Sequence, residues 1–397
     1  MRILWYSTAP FGPSSYSVLT RRTVPDIARD GHDVICYSWY GLQGQAQKWP
    51  ITKREDRTQL AHAVTILPHC GNNAYGIDTA LPYYQAIQPD VMISNMDVWV
   101  MPAEVTSRMN FAAWAPIDHD PVPGGILQSL TTAKYVMSYS KWGTDLLKDS
   151  GVDARYVPCS ADSVDYKPMQ QAEARRALGI DPSAYLVSIV AANKDPGDRK
   201  GFGEAIQGFA QLAAKHEDAK LYIHTNWTGP IDITNLCDRC GLSAAQVTRP
   251  DMLAYLSGQY DDNYMRLVYC ASDVLLNVAK SEGFGLPILE AQMCGTPVIL
   301  SDFSTSRELC FAGWLVDGQR HWSIGADSWR LLVNVDKVAD ALEEAYSQRG
   351  NEVLRRQARN GALAYDTYEV HKKYWRPALQ EIEEIVKGDG ALKMVQF

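Results

Sequence analysis

The stretch SEGFGLPILEAQMCGTPVIL, residues 281–300, sets two carboxylates, Glu282 and Glu290, around a glycine-rich turn and a proline. Ahead of it DVLLNVA reads as a short buried strand, and its own end, PVILS, reads as another. Pro287 suits the first position of a helix, because its φ is already helical and its missing N–H has no intrahelical acceptor there. Gly295 suits the end of that helix. The stretch therefore predicts strand, loop, helix and strand, the repeating unit of a parallel α/β sheet.

The same unit recurs on both sides. RILWYS, HDVICYS, VMISN, FAAWAPI and YVMSYS alternate with helical patterns in the first half, beginning with a helix near 15–29. YLVSIVAAN starts the series again, followed by the amphipathic GFGEAIQGFAQLAAKH and the strand AKLYIHT. Two βα series joined through a segment with Pro158 and Pro168 predict an α/β protein of two doubly wound, Rossmann-like domains facing a cleft. We place them at 1–165 and 166–370, with a C-terminal helix over 371–397 that is bent by Pro377 and could cross back to the first domain.

Length and composition agree. A chain of 397 residues exceeds one comfortable core. Its 46% hydrophobic and 21% charged residues are those of a globular protein, with no apolar run of membrane-spanning length. MRILWYSTAPFG has neither the apolar core nor the cleavage site of a signal peptide, so a cytoplasmic location and no integral membrane segment are expected. A formal net charge of −8 disfavours nucleic acid as the main partner. The eight cysteines are scattered, and the Cys237/Cys240 pair lacks the further ligands of a zinc site, so no metal is expected.

In open α/β sheets ligands bind beyond the carboxyl ends of the strands. The helix starting near Pro287 would present the amides of Gly283, Phe284, Gly285 and Leu286 at its positive end, a place for an anion such as a diphosphate. Glu282 lies beside that anion and Glu290 about one turn further on. Carboxylates repel phosphate, so their natural partners are hydroxyls, and a sugar nucleotide offers both. The competing reading is a capped surface helix with two solvated glutamates. In NKDPGDRKGFGEAIQGFAQL, Arg199 and Lys200 follow a strand and precede a helix, where two cations could balance charge on a departing diphosphate in place of a metal. Asn193 ends that strand and could bond donor or phosphate, or form a turn.

The spacing of Glu282 and Glu290 and the match of EGFGLPILEAQMCGTPVI along its length resemble the retaining GT-B glycosyltransferases of family 4, or group 1. The resemblance covers most of the chain and is strongest over 185–310. It implies that Glu282 contacts donor-sugar hydroxyls, that the amides of Phe284, Gly285 and Leu286 hold sugar and diphosphate, that Glu290 binds the ribose, and that Arg199 and Lys200 bind phosphate. WAPIDHDPVPGG stands where the family has a His, sometimes with Asp, near the donor sugar; Asp118 or His119 takes that place. Asp118 with Asp120 also raises a metal-binding Asp-x-Asp as a rival. STAPFGPSSYSVL resembles the family's glycine-rich first loop but keeps only Gly12.

The resemblance thus implies a retaining, metal-independent enzyme without cofactor, moving a hexose from a nucleotide sugar such as a UDP- or GDP-hexose to an acceptor hydroxyl. Asp118, His119 and Glu282 are its candidate catalytic residues; Gly12, Asn193, Arg199, Lys200, Gly283, Phe284, Gly285, Leu286 and Glu290 its candidate donor-binding residues. The acceptor is a glycan, a lipid or a small molecule, with a hydroxylated DNA base as an alternative and a non-catalytic sugar-nucleotide-binding protein as another. A dinucleotide oxidoreductase fits poorly, since the first strand lacks a complete G-x-G-x-x-G. Trp39, Tyr40 and Trp49 are expected in one loop after a strand, where aromatic faces suit sugars or pack locally.

Overall fold

The computed structural model describes residues 1–53 and 58–394. By contact the chain forms two units: Met1–Ile117 with Pro121–Ser160 and the described residues from Thr367 onward, and Asp118–Asp120 with Ala161–Asp366.

The first unit is built on β1 (Arg2–Ser7), β2 (Asp33–Ser38), β3 (Gln47–Thr52), β4 (Gln59–Pro68), β5 (Val91–Asn95), β6 (Phe111–Ala115), β7 (Tyr135–Ser138) and β8 (Ala154–Tyr156). Their order is β3-β4-β2-β1-β5-β6-β7-β8, with β3 antiparallel to β4 and every other pair parallel. β1, β5 and β6 are buried along nearly their whole length, as strands inside a parallel sheet covered on both faces are. Trp49 lies in β3 rather than in the loop with Trp39 and Tyr40: the run after Gly44 pairs along β4, which supplies the hydrogen bonds an isolated segment would lack.

The helix Ser15–Arg29 follows β1, its first turn capped by Ser14, whose Oγ accepts from the Ser17 N–H. The end of the chain also belongs to this unit. Trp375 is buried against Trp5 and Trp114, with ring centroids 5.7 and 4.8 Å away. Asp30 receives His371 Nε2 at 2.7 Å and Arg376 Nε at 2.7 Å. Pro377 sits in the first turn of the helix Arg376–Met394, and the preceding turn, His371–Trp375, is a π-helix. The irregularity therefore falls before the proline, where a widened turn accommodates the missing N–H.

The second unit holds β9 (Tyr185–Val190), β10 (Ala219–His224), β11 (Val247–Thr248), β12 (Val274–Asn277), β13 (Val298–Ser301) and β14 (Gly313–Val316), all parallel, in the order β11-β10-β9-β12-β13-β14. An antiparallel hairpin, β15 (Gly318–Ser323) and β16 (Ser328–Val333), stands outside that sheet. Strand order reverses between β9 and β12, and the loops after the strands at such a reversal are where open α/β sheets take their ligands. Those loops carry Arg199 with Lys200, and Glu282 with the glycine turn.

Candidate functional site

The loop after β9 is shaped by Asp198 and Gly201. Asp198 caps the helix Phe202–Ala213, Oδ1 accepting from the Phe202 N–H and Oδ2 from the Gly203 N–H, both at 2.9 Å. Gly201 has φ +70°, and a Cβ there would lie 2.4 Å from the Val278 carbonyl oxygen. This close crossing, with the Lys280 N–H donating to the Arg199 carbonyl at 2.8 Å, fastens the loop after β9 to the loop after β12. Arg199 and Lys200 are thereby brought to Glu282: Lys200 Nζ is 2.6 Å from Oε1 and Arg199 Nη1 is 3.7 Å from Oε2.

Glu282 is buried and held by its own backbone. Its N–H donates to Ser304 Oγ at 3.0 Å, and its carbonyl accepts from Thr305 Oγ1 at 2.9 Å. Gly285 follows with φ +99°, and the helix runs Leu286–Met293. That φ strains any L side chain, and a Cβ on Gly285 would also press on Ile288 Cδ1 at 2.6 Å, so the turn favours glycine. The first amides of a helix have no partner inside it, which leaves the N–H groups from Gly283 to Leu286 at an electropositive helix start. Phe284 and Leu286 bury their side chains. Glu290, one turn into the helix, is buried too and accepts from the Tyr269 hydroxyl at 2.7 Å.

Asp118 joins the same cluster. One carboxylate oxygen, Oδ2, is 3.3 Å from Arg199 Nη1 and 4.0 Å from Arg330 Nη1. The other, Oδ1, is 2.7 Å from His119 Nδ1, close but off the line of a directional hydrogen bond. The Asp118 carbonyl accepts from Ser281 Oγ at 2.5 Å. Burial alone would raise the Asp118 pKa, but His119, Arg199 and Arg330 outweigh it and hold the group well below the usual carboxylate range. Burial and the neighbouring Arg199 pull the Lys200 pKa down, and Glu282 acts against them.

The cluster therefore unites Asp118, His119, Arg199, Lys200 and Glu282; Gly283, Phe284, Gly285 and Leu286 continue the Glu282 loop, and Glu290 follows on the helix, all in one unit. Asn193 is committed elsewhere: its Nδ2 donates to the Asn226 and Ile231 carbonyls and its Oδ1 accepts from the Ile231 N–H, so its amide ties down the loop after β10. Gly12 belongs to the first unit, in the turn between β1 and the helix Ser15–Arg29, where its N–H donates to the Ala9 carbonyl. Asp118 and Asp120 each face arginine, Asp120 Oδ2 lying 3.5 Å from Arg320 Nη1, a charge balance unlike that of a paired metal site. Cys237 and Cys240 are free thiols, and burial pushes the Cys237 thiol up to about 12.

Sequence reasoning missed Arg330 and the supports Ser281, Ser304 and Thr305. The signal for Arg330 was present: GQRHWS and SWRLLV around IGAD are two short alternating runs about a turn.

Residues 173–360 match the family model described as Glycosyl transferases group 1. A D-inositol 3-phosphate glycosyltransferase of Rhodococcus jostii is 28% identical over 200 residues, 47% of this chain and 42% of that protein. One from Mycobacterium sp. strain JLS is 31% identical over 139 residues, 34% of this chain and 28% of that protein. The chain thus spans less than half the length of these curated relatives. In fold it is similar to the sucrose-phosphate synthase of Thermosynechococcus elongatus, with TM-score 0.72, 15% identity and coverage of 98% of this chain and 100% of that one. It is also similar to an Anabaena protein solved with UDP and glucose, with TM-score 0.68, 14% identity and coverage of 96% and 100%.

Proposed function

Residues 173–360 belong to the glycosyl transferases group 1 family, on a GT-B fold, and from that premise we propose that this chain is a retaining hexosyltransferase. It takes a nucleoside-diphosphate sugar and passes the hexose to an acceptor hydroxyl without needing a metal ion. The observation that carries this reading is the convergence of Arg199, Lys200, Glu282 and an open helix start where strand order reverses in the second unit.

A diphosphate fits that convergence chemically. Arg199 and Lys200 offer two cations, and the amides before Pro287 offer oriented donors, so negative charge growing on the leaving phosphate meets groups already in place. Phosphate entering here competes with Glu282 for both cations, which frees that carboxylate to accept from a sugar hydroxyl. Asp118, held ionised, is a second acceptor for hydroxyls on the donor sugar. Glu290 can accept from ribose hydroxyls while Tyr269 holds its other oxygen. Retention follows if the departing phosphate takes the acceptor's proton on the face it leaves.

The acceptor is proposed only as a hydroxyl-bearing molecule. Inositol phosphate, named in the curated relatives, is a first compound to try. The experiment is a thermal-shift panel of UDP, GDP, ADP and TDP sugars with and without EDTA, UDP-glucose first because the Anabaena structure holds UDP and glucose. One nucleotide class should raise the melting temperature, EDTA should leave the shift intact, and Lys200→Ala and Glu290→Ala should lose most of it. Equal shifts in both variants and the parent would overturn the assignment; slow donor hydrolysis without acceptor separates an enzyme from a protein that only binds.

A further inference from the structure

The hairpin β15–β16 brings a charged side chain to this cluster from outside the parallel sheet. The Arg330 side chain is 8% exposed, and its Nη1 lies 4.0 Å from Asp118 Oδ2 with no hydrogen-bond partner among the described residues. A buried cation left this loosely satisfied is costly, and such groups gather at functional sites.

The backbone of the same strand makes two further attachments. The Trp329 N–H donates to the Asp120 carbonyl at 2.7 Å, forming a β-bridge between these residues, and the Leu331 N–H donates to the Lys280 carbonyl at 3.0 Å. Arg320, on the partner strand, lies 3.5 Å from Asp120. One strand of the hairpin is therefore bonded to the segment that presents Asp118 and to the loop that presents Glu282, and Ser281 Oγ joins the two by donating to the Asp118 carbonyl. The charged groups facing Asp118 are His119, Arg199 and Arg330, with Lys200 behind Glu282.

We propose that Arg330 is a positioning residue of the donor site: it acts through Asp118, fixing its carboxylate beside Arg199, while its strand clamps the segment 118–120. The consequence for donor binding rests on the proposed transferase reading; the coupling of Arg330 to the segment does not.

Hydrogen–deuterium exchange of the full chain without ligand tests the coupling, in peptides covering 118–121 and 328–332. Arg330→Met should speed exchange there about tenfold while the rest of the second unit keeps the parent's rates. Arg330→Lys, which keeps the charge, should stay near the parent, and Asp118→Asn should reproduce the Met variant. Unchanged exchange in Arg330→Met, or a rise spread evenly over the unit, overturns the proposal. In turnover, Arg330→Met should raise the donor KM about tenfold with little change in kcat, and in an Asp118→Asn background the same Arg330→Met change should cost nothing further. A local exchange response in a protein that no nucleotide sugar stabilises sinks the transferase reading and leaves the clamp standing. Stabilisation by a nucleotide sugar without the local response does the reverse.

Discussion

At the residue scale the site is a contest between carboxylates and cations. Glu282 lies 2.6 Å from Lys200, and the Lys200 pKa is pulled down by burial and Arg199 while Glu282 pushes it up. The ammonium form is the one that attracts phosphate, so donor binding should weaken as pH rises through the lowered Lys200 pKa. Glu282→Gln removes the group that supports the charge, and the alkaline loss of nucleotide binding should then begin at lower pH than in the parent. Titration calorimetry with the nucleoside diphosphate across the alkaline range checks this; an unmoved or upward-shifted limb contradicts it. Gly285 gives a second test. At φ +99°, with Ile288 Cδ1 2.6 Å from a Cβ, Gly285→Ala should lose about 1–3 kcal/mol of stability in urea unfolding and most of the donor-induced thermal shift.

At the element scale, the strands that position the site were legible because parallel strands covered on both faces read as continuous apolar runs. YLVSIV and VLLN are buried along their whole length, and both fall where the apolar runs predict. The glycine turn and the helix after it were equally legible, since Gly285, Pro287 and Gly295 mark local backbone geometry. The hairpin was harder to read. Its strands interleave Arg, His and Trp, and its pairing serves long-range contacts with Asp120 and Lys280 that no window of sequence contains. Trp49 escaped for a similar reason, because β3 is an edge strand defined by β4. Asn193 was readable as a polar residue at a strand end, but its bonds to Asn226 and Ile231 join separate loops.

One ion pair ties these elements together from below. Arg175, on the helix Gln171–Ala177, lies 2.6 Å from Asp273 at the start of β12, and both side chains are 3% exposed. Asp273 also accepts from the Leu186 N–H of β9 at 2.7 Å. Asp273→Ala strands a buried guanidinium and should cost about 3–5 kcal/mol in chemical unfolding. Asp33→Ala, which removes the exposed pair with Arg2, should cost under about 1 kcal/mol. Similar losses for the two variants would contradict the reading of Asp273 as a buried tie.

At the scale of the whole molecule, the chain leaves its first unit, builds the second, and returns after Asp366 to finish the first. The return is anchored by Trp375 against Trp5 and Trp114, and by Asp30, which binds both His371 and Arg376. Trp375→Ala should cost about 3–5 kcal/mol by emptying that aromatic core. The Asp30 anchor predicts a pH dependence of definite sign. Burial would raise the Asp30 pKa, but the bonds from Arg376 and His371 outweigh it, so the folded-state value lies below the ordinary one. A carboxylate whose pKa is depressed by folding contributes its stability above its unfolded pKa and loses it as pH falls through the folded one. The contribution should therefore be complete at neutral pH, begin to fade near about pH 4 and be gone only below the lowered folded-state pKa. Asp30→Asn removes it at every pH, so parent and variant should differ most near neutrality and converge in acid, read by urea unfolding across that range. A difference between them that grows on acidification would show that Asp30 does not hold the returning segment as an anion.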